Sequence, residues 1–310
     1  MQGGVPVEPA DAVASLRLLL GTSGKLASQE TAEQFYRYAA GRGLDLGRMR
    51  RRGLPDRPDF AALTVPSPGR SALLLVPHTL SRGVASHDRE LVALVDTVCR
   101  DQFADGTDLL QCLLPTNSHA VVDLLTRCEF RLLTTLVYLT RTVRRAPRKL
   151  ALPAGYHTEA YGPNTHALFA EAIDRSYIDS LDCPELTGRR EVEDVIAGHK
   201  AAGEFHPSLW SVLVETETNR PVGVLLLAGM GNAASEGIEL VYLALVPEAR
   251  GKGLGHVLLG HAEAVAARSA SKQLALAVDG RNTPALSLYR KHKLREAQSR
   301  LALVRYSGDA

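Results

Sequence analysis

The sequence predicts two tandem α/β domains, and three observations carry that prediction. Its 310 residues, 45% hydrophobic and 23% charged, have globular composition and enough chain for two cores of roughly 150 residues each. Residues 237–294 parse as strand, glycine-rich turn, helix, strand, helix. The same order recurs more weakly in the first half, as an internal repeat would require.

Taken in order, residues 9–21 and 28–41 show helical apolar spacing, with Ser28 as N-cap and Glu30 and Glu33 near the start of the second helix. Arg48, Arg50, Arg51 and Arg52 stand beside Gly53-Leu54-Pro55, which predicts a solvated surface turn. Residues 60–65 and 71–76 are β-rich runs around Pro66-Ser67-Pro68-Gly69, a hairpin pattern. Helix 87–103, strand 108–114, helix 118–128 and strand 132–143 complete this half. The basic stretch Arg141–Lys149 then serves as connection, dividing the chain into 1–145 and 151–310.

The second half is expected to open with helix 163–176, a loop Tyr177–Leu186 and helix 189–202. Strands follow over 209–215, opened by the single Trp210, and over 222–228. Gly229-Met230-Gly231-Asn232-Ala233-Ala234 imitates the dinucleotide fingerprint, but that fingerprint opens a helix, and the next strand begins too soon for one. A hairpin loop is expected there. The run Glu239–Val246 reads as a buried strand stopped by Pro247. Leu254, Val257, Leu258, His261 and Val265 follow at helical spacing before a strand over 274–278.

Arg250-Gly251-Lys252-Gly253-Leu254-Gly255 thus lies at a helix N-terminus. Its glycines permit close backbone approach, and the unpaired first-turn N–H groups with the helix dipole favour an anion such as a pyrophosphate. It lacks the Gly-Lys-Ser/Thr ending of a triphosphate loop. The spacing Arg250-x-x-Gly253-x-Gly255 resembles the acetyl-CoA motif of the GNAT N-acetyltransferase superfamily. Asn282-x-x-Ala285-x-x-Leu288-Tyr289 resembles that family's second motif, in the right register.

The resemblance implies a mixed, mostly antiparallel sheet flanked by helices in each domain, and acetyl-CoA as acyl donor without a metal. It implies direct acetyl transfer to an amine, of a small molecule or else of a protein. It places the cofactor on Leu243, Ala244 and Leu245, on the loop from Arg250 through Gly251, Lys252, Gly253, Leu254 and Gly255 to His256, and on Asn282 and Tyr289. Glu239 precedes Arg250 by the spacing at which some members carry their general base. A carboxylate on a buried apolar strand also has its pKa raised toward a useful range, although an edge or ion-paired residue would look the same. Glu236 is the alternative base. Tyr289 is implied as the acid to the leaving thiolate. Asp179, Asp182 and Glu185 either offer carboxylates to a cationic acceptor or cap turns. Lys293-Leu294 departs from the family's Gly-Phe ending, with His292 just before it.

In the repeat register Leu80-Ser81-Arg82-Gly83-Val84-Ala85 is a remnant loop, Gly69 stands for Glu239 and Leu125 for Tyr289, so the first copy is degenerate. Such a tandem is similar in architecture to the mycothiol synthases, which does not fix a substrate. A non-catalytic acyl-CoA-binding or scaffold protein is the alternative. The net charge of +2 gives no field for nucleic acid or membrane surfaces. Cys99, Cys112, Cys128 and Cys183 lack metal or disulfide spacing, which suits a reducing cytoplasm. A monomer, or else a homodimer, is expected.

Overall fold

β-Branched, leucine-rich runs bounded by Gly and Pro form the strands, and amphipathic stretches form the helices between them. The computed structural model describes residues 4–22, 24–41, 43–81, 83–145, 151–230 and 237–308. In the first half these elements are β1 (Val5–Pro6), α1 (Ala12–Leu19), α2 (Gln29–Gly41), β2 (Arg50–Gly53), β3 (Pro58–Ser67), β4 (Ser71–Leu75), α3 (Arg89–Ala104), β5 (Leu109–Pro115), α4 (His119–Arg127) and β6 (Arg131–Thr142). The second half follows with β7 (Tyr156–Ala160), α5 (His166–Ser176), α6 (Val192–Ala201), β8 (Trp210–Glu215), β9 (Arg220–Gly229), β10 (Ile238–Leu245), α7 (Leu254–Ala266), β11 (Gln273–Asp279), α8 (Thr283–Lys291) and β12 (Arg295–Tyr306).

The chain divides into two compact units, Met1–Leu133 with Arg300–Ala310, and Thr134–Ser299. These differ from the expected halves 1–145 and 151–310 because the final strands trade places. Arg300–Tyr306 of β12 pairs antiparallel with β5 in the first unit. Thr142 through Leu136 of β6 pairs antiparallel with β11 in the second. Each sheet is thereby completed by the last strand of the other half of the sequence. Within each unit the pairings are antiparallel except for one parallel pair, β4 with β5 and β10 with β11.

In the first unit, Leu91, Leu94, Val95 and Val98 of α3 pack on Phe60, Leu74, Leu110 and Leu303, all essentially inaccessible. Asp88 caps that helix, accepting from the Glu90 N–H at 2.9 Å. In the second unit, Leu258, Leu259 and Ala262 of α7 cover one sheet face with Leu240, Leu274 and Leu276. Phe169, Ile173 and Ile196 of α5 and α6 cover the other with Trp210, Val212 and Leu226.

Two expectations need correction. The arginine run is a strand, β2, paired with β3 and β1, and its charges are met by acids: Arg50 with Asp101 at 3.2 Å, Arg52 with Asp59 at 2.9 Å, Arg48 with Asp105. A lone run of like charges reads as solvated, but here the partners come from distant segments. The second half opens with strand β7 before its first helix, and β12 extends to Tyr306. Residues 231–236, with most of the fingerprint-like loop and Glu236, and residues 146–150 of the connection lie outside the described residues. Among the described residues no helix is long and apolar enough to cross a membrane, and no group of three or more His, Cys, Asp or Glu is placed to hold a metal.

Candidate functional site

The site grows from a break in β10. Its register with β9 shifts between Leu240 and Tyr242, so Val241 is an extra, bulged residue. A bulge bends its strand and reverses the alternation beyond it. Ile238 and Leu240 belong to the α7 core before the break, as Leu243 and Leu245 do after it, whereas Tyr242 and Ala244 turn to the α5 side. Parallel pairing with β11 ends at the same place, at Leu240 opposite Leu276. Beyond it the two strands separate, and a cleft of about 260 Å³ opens between them.

Leu243, Ala244 and Leu245 form one wall of this cleft, and Asn282, Ala285 and Tyr289 of α8 form another. Asp179, Leu181 and Asp182 of the loop after α5 line it too. That loop crosses from one strand end to the other and is tied at both. At the β10 end the Arg250 guanidinium donates to the carbonyls of Leu245 (3.1 Å), Ser176 (3.0 Å), Ile178 (2.8 Å) and Asp179 (3.0 Å). At the β11 end Asp279 accepts from the Cys183 N–H at 3.1 Å, and the Asp279 N–H donates to Asp182 at 3.1 Å. Arg281 grips Glu185 through two bonds, at 2.6 and 2.9 Å, and Asp279 at 2.8 Å.

The turn below the cleft requires its glycines. Gly251 and Gly253 have φ of +76° and +78°, which side-chain-bearing residues rarely adopt. Nothing lies within 4 Å of where a Cβ would stand on either, so the space in front of the turn is open. Leu254 is buried and anchors α7, and a Cβ on Gly255 would meet Leu288 at 3.4 Å. The His256 N–H donates to the Gly253 carbonyl at 3.0 Å, which leaves the Leu254 and Gly255 N–H groups at the start of α7 without an i−4 acceptor, with the helix dipole behind them. Lys252 and His256 are exposed beside it.

The structure therefore brings together most of the residues singled out from sequence, with two changes of role. Four of the five guanidinium N–H donors of Arg250 are spent on backbone carbonyls, so its side chain holds the loop rather than standing free for a phosphate. Asn282 caps α8, accepting from the Ala285 N–H at 3.2 Å, while its amide donates to Asp182. Glu239 stands outside the cleft lining, two residues before the bulge, between Ala228 and Ala275 on the neighbouring strands. Burial raises its pKa.

Burial also raises the pKa of Asp182, helped by the Asp279 charge. Tyr289 is 6% exposed, and burial with the nearby Asp182 pushes its hydroxyl pKa up, so it keeps its proton. Asp279 behaves oppositely. Burial alone would raise it, but Arg281, Thr134 and two backbone N–H groups hold it at about 2.

Sequence reasoning missed Asp279, Arg281, and the pair His292 and Glu263. The only signal for Asp279 was a carboxylate ending an apolar strand, which Asp-Gly turns explain equally well.

Residues 175–293 match the acetyltransferase (GNAT) family. That segment of the second unit is similar to GNAT acetyltransferase domains. Outside it, the GNAT fold extends to nearly the whole length. A GCN5-related N-acetyltransferase from Sphaerobacter thermophilus is 19% identical, with a TM-score of 0.65 over 97% of this chain and 94% of its own. A tandem GNAT protein from the clavulanic acid biosynthesis pathway is 13% identical, with a TM-score of 0.56 over 98% of both chains. A comparison with curated proteins returns no match. The GNAT family works by acyl transfer from an acyl thioester of CoA to an amine, and the open glycine turn with the adjoining cleft fits such a donor.

Proposed function

We propose that the chain is an N-acetyltransferase that uses acetyl-CoA and acetylates the amine of a small molecule directly. The observation that carries this is the separation of β10 from β11 at the Val241 bulge, directly above the open turn Gly251–Gly255. The turn and the first-turn N–H groups of α7 would receive the diphosphate, and the cleft walls Leu243–Leu245 and α8 the pantetheine arm. The bound donor supplies an activated thioester carbonyl.

The chain's own residues manage the protons. The acceptor nitrogen forms a bond to the acyl carbon and loses a proton, for which Glu239 is the base. The bond from that carbon to sulfur breaks, and Tyr289, kept protonated by its burial, gives its proton to the thiolate. Asp179 and Asp182 favour a cationic acceptor. Leu125, fully buried in α4 at the place of Tyr289 in α8, supports a structural or substrate-shaping role for the first unit.

Calorimetric titration of acetyl-CoA and CoA tests this, with G253W as the variant that closes the turn. One saturable site per chain, lost in G253W, is expected. Absence of binding would overturn the proposal. A panel of amines then identifies the acceptor. Turnover that survives unchanged in E239Q would remove Glu239 as base, and a protein that binds acetyl-CoA but acetylates nothing would be an acyl-CoA-binding module.

A further inference from the structure

We propose that His292 and Glu263 are positioning residues that hold the His256 imidazole as the turn's side-chain donor to a phosphate group of the cofactor. The proposal rests on the acyl-CoA assignment above. Its starting point is the missing cation. Arg250, the basic residue that opens the turn, has committed one donor to Leu245 of β10 and three to the end of α5 and the loop after it, which leaves Lys252 and His256 as the exposed basic side chains there.

Of these, His256 has a support built behind it. It stands in the first turn of α7, and its Nδ1 is hydrogen-bonded to Nε2 of His292 at the end of α8, with ring centroids 4.3 Å apart. The other nitrogen of His292, Nδ1, lies 3.2 Å from Glu263 Oε1, two turns further along α7. Arg141 of β6 donates both to Glu263 and to the His292 carbonyl. His292 is 7% exposed and Glu263 3%. A buried carboxylate and imidazole are costly to keep unpaired, and here the carboxylate is met by Arg141 and by the inner face of His292, whose other nitrogen leads outward to one exposed ring.

The hydrogen bonds dictate what that ring does. With Nδ1 of His256 held inward, Nε2 is the nitrogen left to face outward beside the open turn. Glu263 accepts from His292 Nδ1–H, so His292 Nε2 accepts from His256 Nδ1–H. A further proton on His256 then sits on Nε2 and makes a charge-assisted donor for an oxyanion. Both the diphosphate and the 3′-phosphate of CoA are partners of this chemistry.

The experiment is calorimetric titration of CoA and of dephospho-CoA, which lacks the 3′-phosphate, into the full-length protein and into H256Q, H292F, H292Q and the H256Q/H292F pair. H256Q, at an exposed position, should weaken CoA binding by about tenfold or more, the size of one hydrogen bond to a charged group. Equal losses for both ligands assign the diphosphate, and a loss confined to CoA assigns the 3′-phosphate. A His292 variant that remains folded by thermal unfolding should reproduce most of the loss. The double variant should then be no weaker than H256Q, because the two rings act as one unit, whereas mere structural damage at His292 would add to it. Unchanged affinity in H256Q, or additive losses in the pair, would overturn the proposal. No CoA binding by the unaltered protein would overturn the acyl-CoA assignment and this inference with it.

Discussion

Tyr289 and Glu239 have their proton equilibria displaced by the same cause, burial, and the displacement serves opposite ends. For a phenol, a raised pKa secures the donor form. For a carboxylate it brings the basic form closer to the pH at which an amine must be deprotonated. With Tyr289 as acid, Y289F is expected to lower kcat by about a hundredfold while acetyl-CoA affinity stays unchanged, which steady-state kinetics beside calorimetry checks. The pH profile distinguishes the two carboxylates. A base with a raised pKa is active only above that pKa, so kcat/KM should fall as pH drops through a value above the ordinary Glu pKa of about 4.3. That acidic limb is expected to vanish in E239Q and to persist in D182N. The reverse result would transfer the role to Asp182, which, unlike Glu239, lines the cleft.

At the scale of elements, the loop after α5 is held by ionised Asp279 at one end and by Arg250 at the other. The folded Asp279 pKa of about 2 lies below the ordinary value. Its contribution is therefore present above about pH 4 and is lost as pH falls toward 2. Asp182 works in the opposite sense, since its raised pKa makes its ionisation unfavourable to the fold. D279A is expected to destabilise the second unit by about 2 kcal/mol and to speed amide exchange over 177–186 before exchange elsewhere, measured by hydrogen–deuterium exchange.

The sequence revealed much at this scale where the physics is local. The glycines of the turn before α7 announce close backbone approach, and the Leu254–Val265 spacing announces a helix, whereas Asn282 reads as a cofactor contact and proves to be the cap of α8. The tie between Arg250 and the loop after α5 was not readable, because Arg250 bonds to backbone carbonyls more than seventy positions away, and carbonyls carry no residue identity. His292 and Glu263 were hidden for a similar reason: each looks like an ordinary polar helix residue until α7 and α8 are packed.

For the whole molecule, the traded strands set what counts as a foldable piece. Within Arg300–Tyr306 the continuous apolar run Leu301–Val304 suits a buried strand of either sheet, so its partner was invisible in the sequence. A fragment of residues 1–145 lacks the strand that covers β5, and one of residues 151–310 lacks the strand that covers β11. Neither fragment is expected to unfold cooperatively by circular dichroism. Mixing the two should restore a cooperative transition. Independent two-state unfolding of each fragment would show that the exchanged strands are dispensable.

The exchange also bears on synthesis. As the ribosome delivers the chain, β5 emerges long before the segment that covers it, about 190 residues later. At about 5–20 residues per second, its hydrogen-bonding edge stays bare for about 10–40 s. An uncovered strand edge is a template for pairing with other chains. The first unit is thus the last to be finished, and the β5 edge is open to wrong pairing until Arg300–Tyr306 arrives.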